Sequence, residues 1–247
     1  MSDIMTISSM LFQFLLFGLG IVFSYKYYGK YALFAWIAFA TILANIEASA
    51  NPSIIFGYPI WQGNVLFGLT FLLTDIAGEN HGKKFASKVA NTGIFMSFCA
   101  MIIFCLWYAM FNNADVSWLN LINKIGYDPR NNIDLSLFIT SGVRVILVSF
   151  LVFWFVQKLD VYLFHKIWDF TASKFGKHKM LWLRNNGATF ISQIVNAFLF
   201  TYGAYYVIGE NPLSLLPQII ATLAITLVVA LMDTPLVYLA RKFKNNK

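Results

Sequence analysis

Apolar residues run along the chain in blocks of roughly twenty, separated by short clusters of Pro, Gly, Asn and charged residues. The breaks include Asn51-Pro52, Gly57, Gly126, Asp128-Pro129 and Asn211-Pro212. A helix needs about 20 mostly apolar residues to cross a bilayer. On that rule the pattern predicts seven spans, at roughly 5–24, 31–50, 58–77, 89–111, 135–157, 187–208 and 214–239. The expected fold is all-α: a polytopic integral membrane helix bundle forming a single domain over residues 1–247. The N-terminus has Asp3, no Lys or Arg before its apolar run, and no small-residue cleavage site after it, so a retained first span is expected rather than a signal peptide.

The third span departs from the others. It follows Pro59, carries Gly63, Asn64 and Gly68, and has only a short purely apolar core. Two readings stay open: a broken or re-entrant helix that aims backbone dipoles at a substrate, or an ordinary helix with a polar face packed on neighbours. Two loops carry apolar residues at helical spacing. These are Trp118, Leu121, Ile122 and Ile125 in one, and Val161, Phe164, Ile167 and Trp168 in the other, and both predict short scaffold-anchoring helices at the interface. The first span is apolar apart from Gln13. Without it six spans remain, which divide three plus three with opposite orientations, as an inverted repeat requires, although the halves share no convincing similarity.

Composition sharpens this picture. The chain is 59% hydrophobic and only 12% charged, whereas soluble domains carry about 45–50% apolar and about 25% charged residues. Too little polar surface exists to cover a water-soluble globule of this size. The net charge of +7 does not point to nucleic acid, because no run pairs basic and aromatic residues as a nucleic-acid groove does. Instead the Lys and Arg residues fall in the loops after the first, third and fifth spans and in the C-terminal tail; the alternate loops hold only Lys124 and Arg130. By the positive-inside rule this alternation predicts the N-terminus outside and the C-terminus in the cytoplasm. Cys99 and Cys105 lie on different faces of one predicted helix, and His81, His165 and His178 lack ligand spacing, so neither a disulfide nor a metal site is expected.

Ionisable groups inside spans are functional candidates by default, because leaving one unpaired in hydrocarbon costs several kcal/mol. Asp75 falls within a turn of the cytoplasmic end of the third span; Gln193 and Asn196 on the sixth and Asp233 on the seventh lie roughly 9–14 Å deep from the same side. Glu47, Arg144, Asn45 and Asn64 form a second layer in the outer half, leaving a gap in which a small solute could bind. Each has a plainer use as well. Glu47 and Arg144 could be an ion pair stapling two helices. Asp75 could cap a helix or bond to lysines of its own loop. Gln193 and Asn196 could be interhelical glue, and Asp233 could satisfy backbone groups freed by Pro235. Arg184-Asn185-Asn186 could be only a positive, capped helix start. Trp61 beside Gly63 is placed to stack on a planar ring. No Ser-His-Asp set, acid/base carboxylate pair, phosphate-cradling loop or HExxH helix is present, so enzymatic chemistry is not expected.

At these motifs the sequence resembles the bacterial queuosine precursor transporter family, also called the vitamin uptake transporter or DUF165 family. The matching blocks are the Asn45-containing end of the second span, LTFLLTDIAGENHGKKFA (69–86), QKLDVYLFHK (157–166), LWLRNNGATFISQIVNAF (181–198) and DTPLVYL (233–239). The resemblance covers a core of residues 31–240 and leaves residues 1–30 as an additional N-terminal span. It implies a multi-pass inner-membrane carrier of 7-deazaguanine bases, chiefly 7-cyano-7-deazaguanine and 7-aminomethyl-7-deazaguanine, salvaged for tRNA modification. It implies Asn45, Thr74-Asp75, Glu79, Asp160, Arg184, Asn185 and Gln193 as motif residues. This chain departs from it at Asn196, where relatives often carry aspartate, and near Ala50, where many carry lysine.

The chemistry of the residues fits such a guest. A guanine-like edge offers a ring N–H and an amino group to one carboxylate, amides complement its carbonyl and ring nitrogens, and an aromatic covers its face. The expected substrate-binding residues are therefore Asn45, Asp75, Glu79, Gln193, Asn196, Trp61 and Asn64. Glu47, Arg144, Asp160, Arg184 and Asp233 are expected in gating or ion coupling. The expected partners are the deazapurine and membrane lipid, with no cofactor and no nucleic acid, and pairing of two chains stays open. Two alternatives also remain: a substrate-binding membrane subunit of an energy-coupling-factor importer, and a membrane-embedded enzyme.

Overall fold

The computed structural model describes residues 3–49, 53–61, 63–113, 135–176, 179–205 and 211–243. A long helix overlaps each predicted apolar run: α1 (Asp3–Tyr28), α2 (Tyr31–Ser49), α3 (Gly63–His81), α4 (Lys83–Asn113), α5 (Leu135–Phe175), α6 (Leu181–Tyr205) and α7 (Leu216–Lys242). A single 3₁₀ turn, Pro212–Leu215, leads into α7, with the Asn211 side chain capping it by accepting from the Leu213 N–H. Four helices carry segments long and apolar enough to cross a membrane, Asp3–Tyr28, Lys83–Phe104, Leu147–Phe175 and Pro212–Lys242. The chain is thus a multi-pass helical membrane protein, helices being the elements that satisfy backbone polar groups within a single span.

The third span is corrected at both ends. Residues 58–60 are not helical but form strand β2 (Tyr58–Ile60), paired antiparallel with β1 (Ser53–Ile55) in the register Ser53↔Ile60 and Ile55↔Tyr58. Phe56 and Gly57 join them, both at positive φ (50° and 83°), which is the geometry of a two-residue type I′ hairpin. Ile55 and Ile60 bury against α1 and α7. Helix α3 itself is unbroken from Gly63 to His81, and every residue but Phe67 and His81 is buried. It is the axis of the bundle, surrounded by α1, α2, α4, α5 and α7. Gly68 permits the tightest of these contacts, since a Cβ there would stand 2.6 Å from Val229 Cγ1 on α7. At its far end, Gly82 (φ 84°) turns the chain directly into α4, its N–H bonding to the Gly78 carbonyl at 3.0 Å.

Helix α5 is 41 residues long. The separate interfacial helix expected at Val161, Phe164, Ile167 and Trp168 is instead its continuation, and Val161 and Phe164 are buried in the main core. The other expected interfacial helix, at 118–125, lies outside the described residues.

Candidate functional site

Two polar layers lie inside the bundle. The first gathers at the end where α3 finishes and α6 begins. Because residues four apart share a helix face, α3 presents Asp75 and Glu79 together, and α6 presents the stripe Asn185, Thr189, Ser192, Gln193 and Asn196. Helix α5 adds Gln157 and Asp160, and α7 adds Asp233 and Thr234. Asp75, at 1% exposure, and Asp160 and Asp233, both at 0%, are sealed from solvent. Asp75 lies within electrostatic reach of Asp160, Asp233 and Glu79. The helix extension to His81 puts Asp75 six residues from the end, about 9 Å deep rather than within one turn.

What distinguishes this cluster is how little of it is bonded to protein. Thr189 lies beside Asp75 and Asp160, and Ser192 beside Asp160, yet neither hydroxyl reaches hydrogen-bond geometry. Both oxygens of Asp160, Oδ2 of Asp75 and of Asp233, Oδ1 of Asn185 and Nε2 of Gln193 are likewise buried without a partner. Native interiors satisfy most such groups, and each exception costs about 1–3 kcal/mol. Here donor and acceptor atoms of complementary type lie unpartnered side by side. Among the described residues no three His, Cys, Asp or Glu side chains are placed to hold a metal ion.

Below this cluster sits an ion-pair lock. Arg184, at 0% exposure, donates from Nε to Glu79 Oε2 at 3.0 Å and again from a terminal nitrogen to the same oxygen; its other terminal nitrogen bonds the Lys179 carbonyl at 2.8 Å. Its guanidinium lies 4.3 Å from the Trp168 ring centroid, and Trp168 stacks in turn on His165. Arg241 Nε approaches Glu79 Oε1 at 3.4 Å from a half-exposed position. Glu79, expected at the substrate, is therefore held by two arginines in this conformation. Arg184 is a cross-brace between α3 and α6 and is not the bare helix start that its sequence setting also allowed. Asp233 serves a different neighbour from the expected one: its Oδ1 accepts from Asn185 Nδ2 at 2.9 Å, and the adjacent Thr234 hydroxyl accepts from Asn185 and Asn186. That tie joins α6 to α7 beside Pro235.

The second layer surrounds a cavity of about 30 Å³ lined by Asn45, Asn64, Ser149, Asn196, Phe67 and Phe200 among others. Asn45 is well satisfied: Oδ1 accepts from Ser149 at 2.5 Å, and Nδ2 donates to the Thr41 carbonyl and to Ser97. Asn64 Nδ2 is buried without a partner. Asn196 donates to Gln193 Oε1 at 3.3 Å, linking the two layers along α6. Between the layers Gln157 reaches across to Thr74 Oγ1 at 3.0 Å, tying α5 to α3. Trp61 is buried but does not line the cavity; its carbonyl accepts the Asn64 N–H at the start of α3. Glu47 accepts from Gln13 of α1 at 2.5 Å, while the side chain of Arg144, its expected partner, lies outside the described residues. Small-molecule sites occupy about 300–1,000 Å³, so the conformation described is closed around its polar groups.

Several contributors have no strong sequence signal alone: Thr189, Ser192, Gln157, Ser149 and Trp168. The first two were legible as the i, i+4 and i, i+3 extension of Asn185 along α6. The others required the length of α5 and its neighbours.

The bundle is apolar outside and polar within, and the comparisons with known proteins place it among membrane transporters. A family model described as "Putative vitamin uptake transporter" matches residues 62–240. The chain is also 33% identical over 225 residues to the "Probable queuosine precursor transporter" of Bacillus subtilis (strain 168), covering 90% of this chain and 89% of that one. The chain belongs to this vitamin uptake transporter family. No solved structure matches it.

Proposed function

We propose that the protein imports a queuosine precursor, a 7-deazaguanine base, across the bacterial inner membrane by alternating access. Six core spans carry the substrate and one added N-terminal span flanks them, with the N-terminus outside and the C-terminus cytoplasmic. The observation that carries this reading is the set of sealed, unpartnered polar atoms on Asp75, Asp160, Asp233, Asn185 and Gln193. Asp75 receives the ring N–H and amino group of the guanine-like edge, and Gln193 with Asn45 meets the carbonyl and ring nitrogens. The Glu79–Arg184 brace closes the cytoplasmic side, and its release opens the path inward. The name of the Bacillus relative supports the same substrate class.

The test is uptake of radiolabelled 7-cyano-7-deazaguanine into vesicles containing only this purified chain. Wild type accumulates the base, and Asp75→Asn abolishes uptake while remaining monodisperse and inserted. Normal uptake by that variant removes Asp75 from the site. Uptake only with added ATPase subunits favours the energy-coupling-factor reading, and chemical conversion without net transport favours an enzyme. Single cysteines at position 88 or 124, in a background lacking Cys99 and Cys105, report orientation: a membrane-impermeant maleimide added outside cells labels the second and spares the first.

A further inference from the structure

On the outside of the bundle, away from the polar interior, α4 and α5 form a pocket of about 250 Å³ lined by Lys83, Ser87, Ala90, Asn91, Lys158, Val161 and Tyr162. Two features of it are chemical. Lys83, Ser87 and Asn91 recur every fourth residue on α4, and Lys158 and Tyr162 do so on α5, so one polar face of each helix turns toward the same space. The lining also contains ammonium, hydroxyl and amide groups and no carboxylate. Lys83 lies over the Tyr162 ring at 5.6 Å and Lys158 over the Trp154 ring at 5.3 Å, contacts that leave the ammonium donors available. Among the described residues, neither lysine is paired with an acid in a salt bridge.

A third feature decides which anion. One turn further along the same faces, toward the middle of the membrane, the surface turns apolar and exposed: Phe95 at 62% on α4, and Trp154 at 46% and Leu151 at 58% on α5. A free phosphate has no use for that strip, whereas an acyl chain does. We infer that this pocket seats the phosphate headgroup of an anionic phospholipid, with its chains lying along Phe95, Trp154 and Leu151. Basic pockets between spanning helices on the cytoplasmic side are suited to such headgroups. The loop charges place this end of α4 in the leaflet facing the cytoplasm. The site binds α4 to α5 on the face opposite the carboxylate cluster, and it is independent of which solute the protein carries.

The experiment uses the full chain purified in detergent and titrated with phosphatidylglycerol or phosphatidylcholine while bound lipid is counted by native mass spectrometry. Wild type retains phosphatidylglycerol over phosphatidylcholine, and Lys83→Gln/Lys158→Gln binds phosphatidylglycerol about thirtyfold more weakly. The charge-matched control Lys84→Gln/Lys88→Gln removes the same two charges from neighbouring positions and keeps wild-type affinity. Equal loss in both double variants reveals general surface attraction and overturns the site, as does unchanged binding in the first. Displacement of the lipid by millimolar inorganic phosphate overturns the phospholipid assignment in favour of a free-anion site.

Discussion

Breaking the Glu79–Arg184 brace from one side should be far more damaging than removing it altogether. Arg184 gives Glu79 two of its N–H groups and gives a third to the Lys179 carbonyl, and both side chains are sealed, at 0% and 2% exposure. Glu79→Gln leaves a guanidinium buried against a neutral amide, and Arg184→Gln leaves a buried carboxylate with only the longer, partly exposed Arg241 contact. Removing one partner of a buried pair costs about 3–5 kcal/mol. The double variant contains no stranded charge, so its loss should be smaller than that of either single variant, and hence at least about 3 kcal/mol below the sum of the two. Arg241→Gln is the internal control: its contact is 3.4 Å long and 27% exposed, so its loss should stay below about 1 kcal/mol. Unfolding in mixed micelles with increasing dodecyl sulfate reads all four variants on one scale. Single variants within about 0.5 kcal/mol of wild type, or strict additivity in the double variant, would refute the claim that this pair is a sealed brace.

Other outcomes follow from the same geometry. Asp160→Asn sacrifices no hydrogen bond, because neither oxygen has a partner; stability should stay within about 1 kcal/mol while vesicle uptake falls at least about tenfold, a difference of about 1.4 kcal/mol. Gly68→Ala drives a Cβ to 2.6 Å from Val229 Cγ1, costing about 1–3 kcal/mol. The thermal midpoint should recover when Val229→Ala is added, and no recovery would place the damage elsewhere. Gln13→Leu removes the donor at 2.5 Å from the half-buried Glu47, and a loss of about 1 kcal/mol is expected; restoration by Glu47→Gln, measured by the same unfolding, checks that the two act as a pair.

The helices were legible because hydrocarbon demands runs of a fixed length, and each long helix overlaps a predicted run. The third span was the exception in both directions. Its polar residues left open a break or a continuous helix with a packed polar face, and α3 is the second, since Asn64, Thr70, Thr74, Asp75 and Glu79 are all covered by surrounding helices and need no unwound backbone. The hairpin before it escaped notice because Phe56-Gly57 is not among the commonest turn dipeptides and its strands are three residues long. Within the site, Asp75, Asp233 and Gln193 were visible as polar interruptions of apolar runs, whereas Asp160 entered only through the family resemblance. Their surroundings were not. The Arg184–Glu79 pair spans 105 positions, and no local pattern tells that Asp160, on a helix read as ending near residue 157, faces inward.

Helices α3 and α6 carry most of the amides and charges described above, and neither is among the helices apolar enough to qualify as a span by composition. The cost of so polar an interior is therefore expected to fall on membrane insertion. A segment bearing Asp75, Glu79, Asn64, Asn80 and two threonines partitions poorly into lipid by itself, but Gly82 ties it to α4 with no intervening loop, so the two are expected to enter as a hairpin with α4 as the lipophilic escort. Helix α7, apolar enough to span by composition, is likewise the next helix after α6, with ten residues between them. Each reluctant helix is then expected to settle only once the next one has been synthesised.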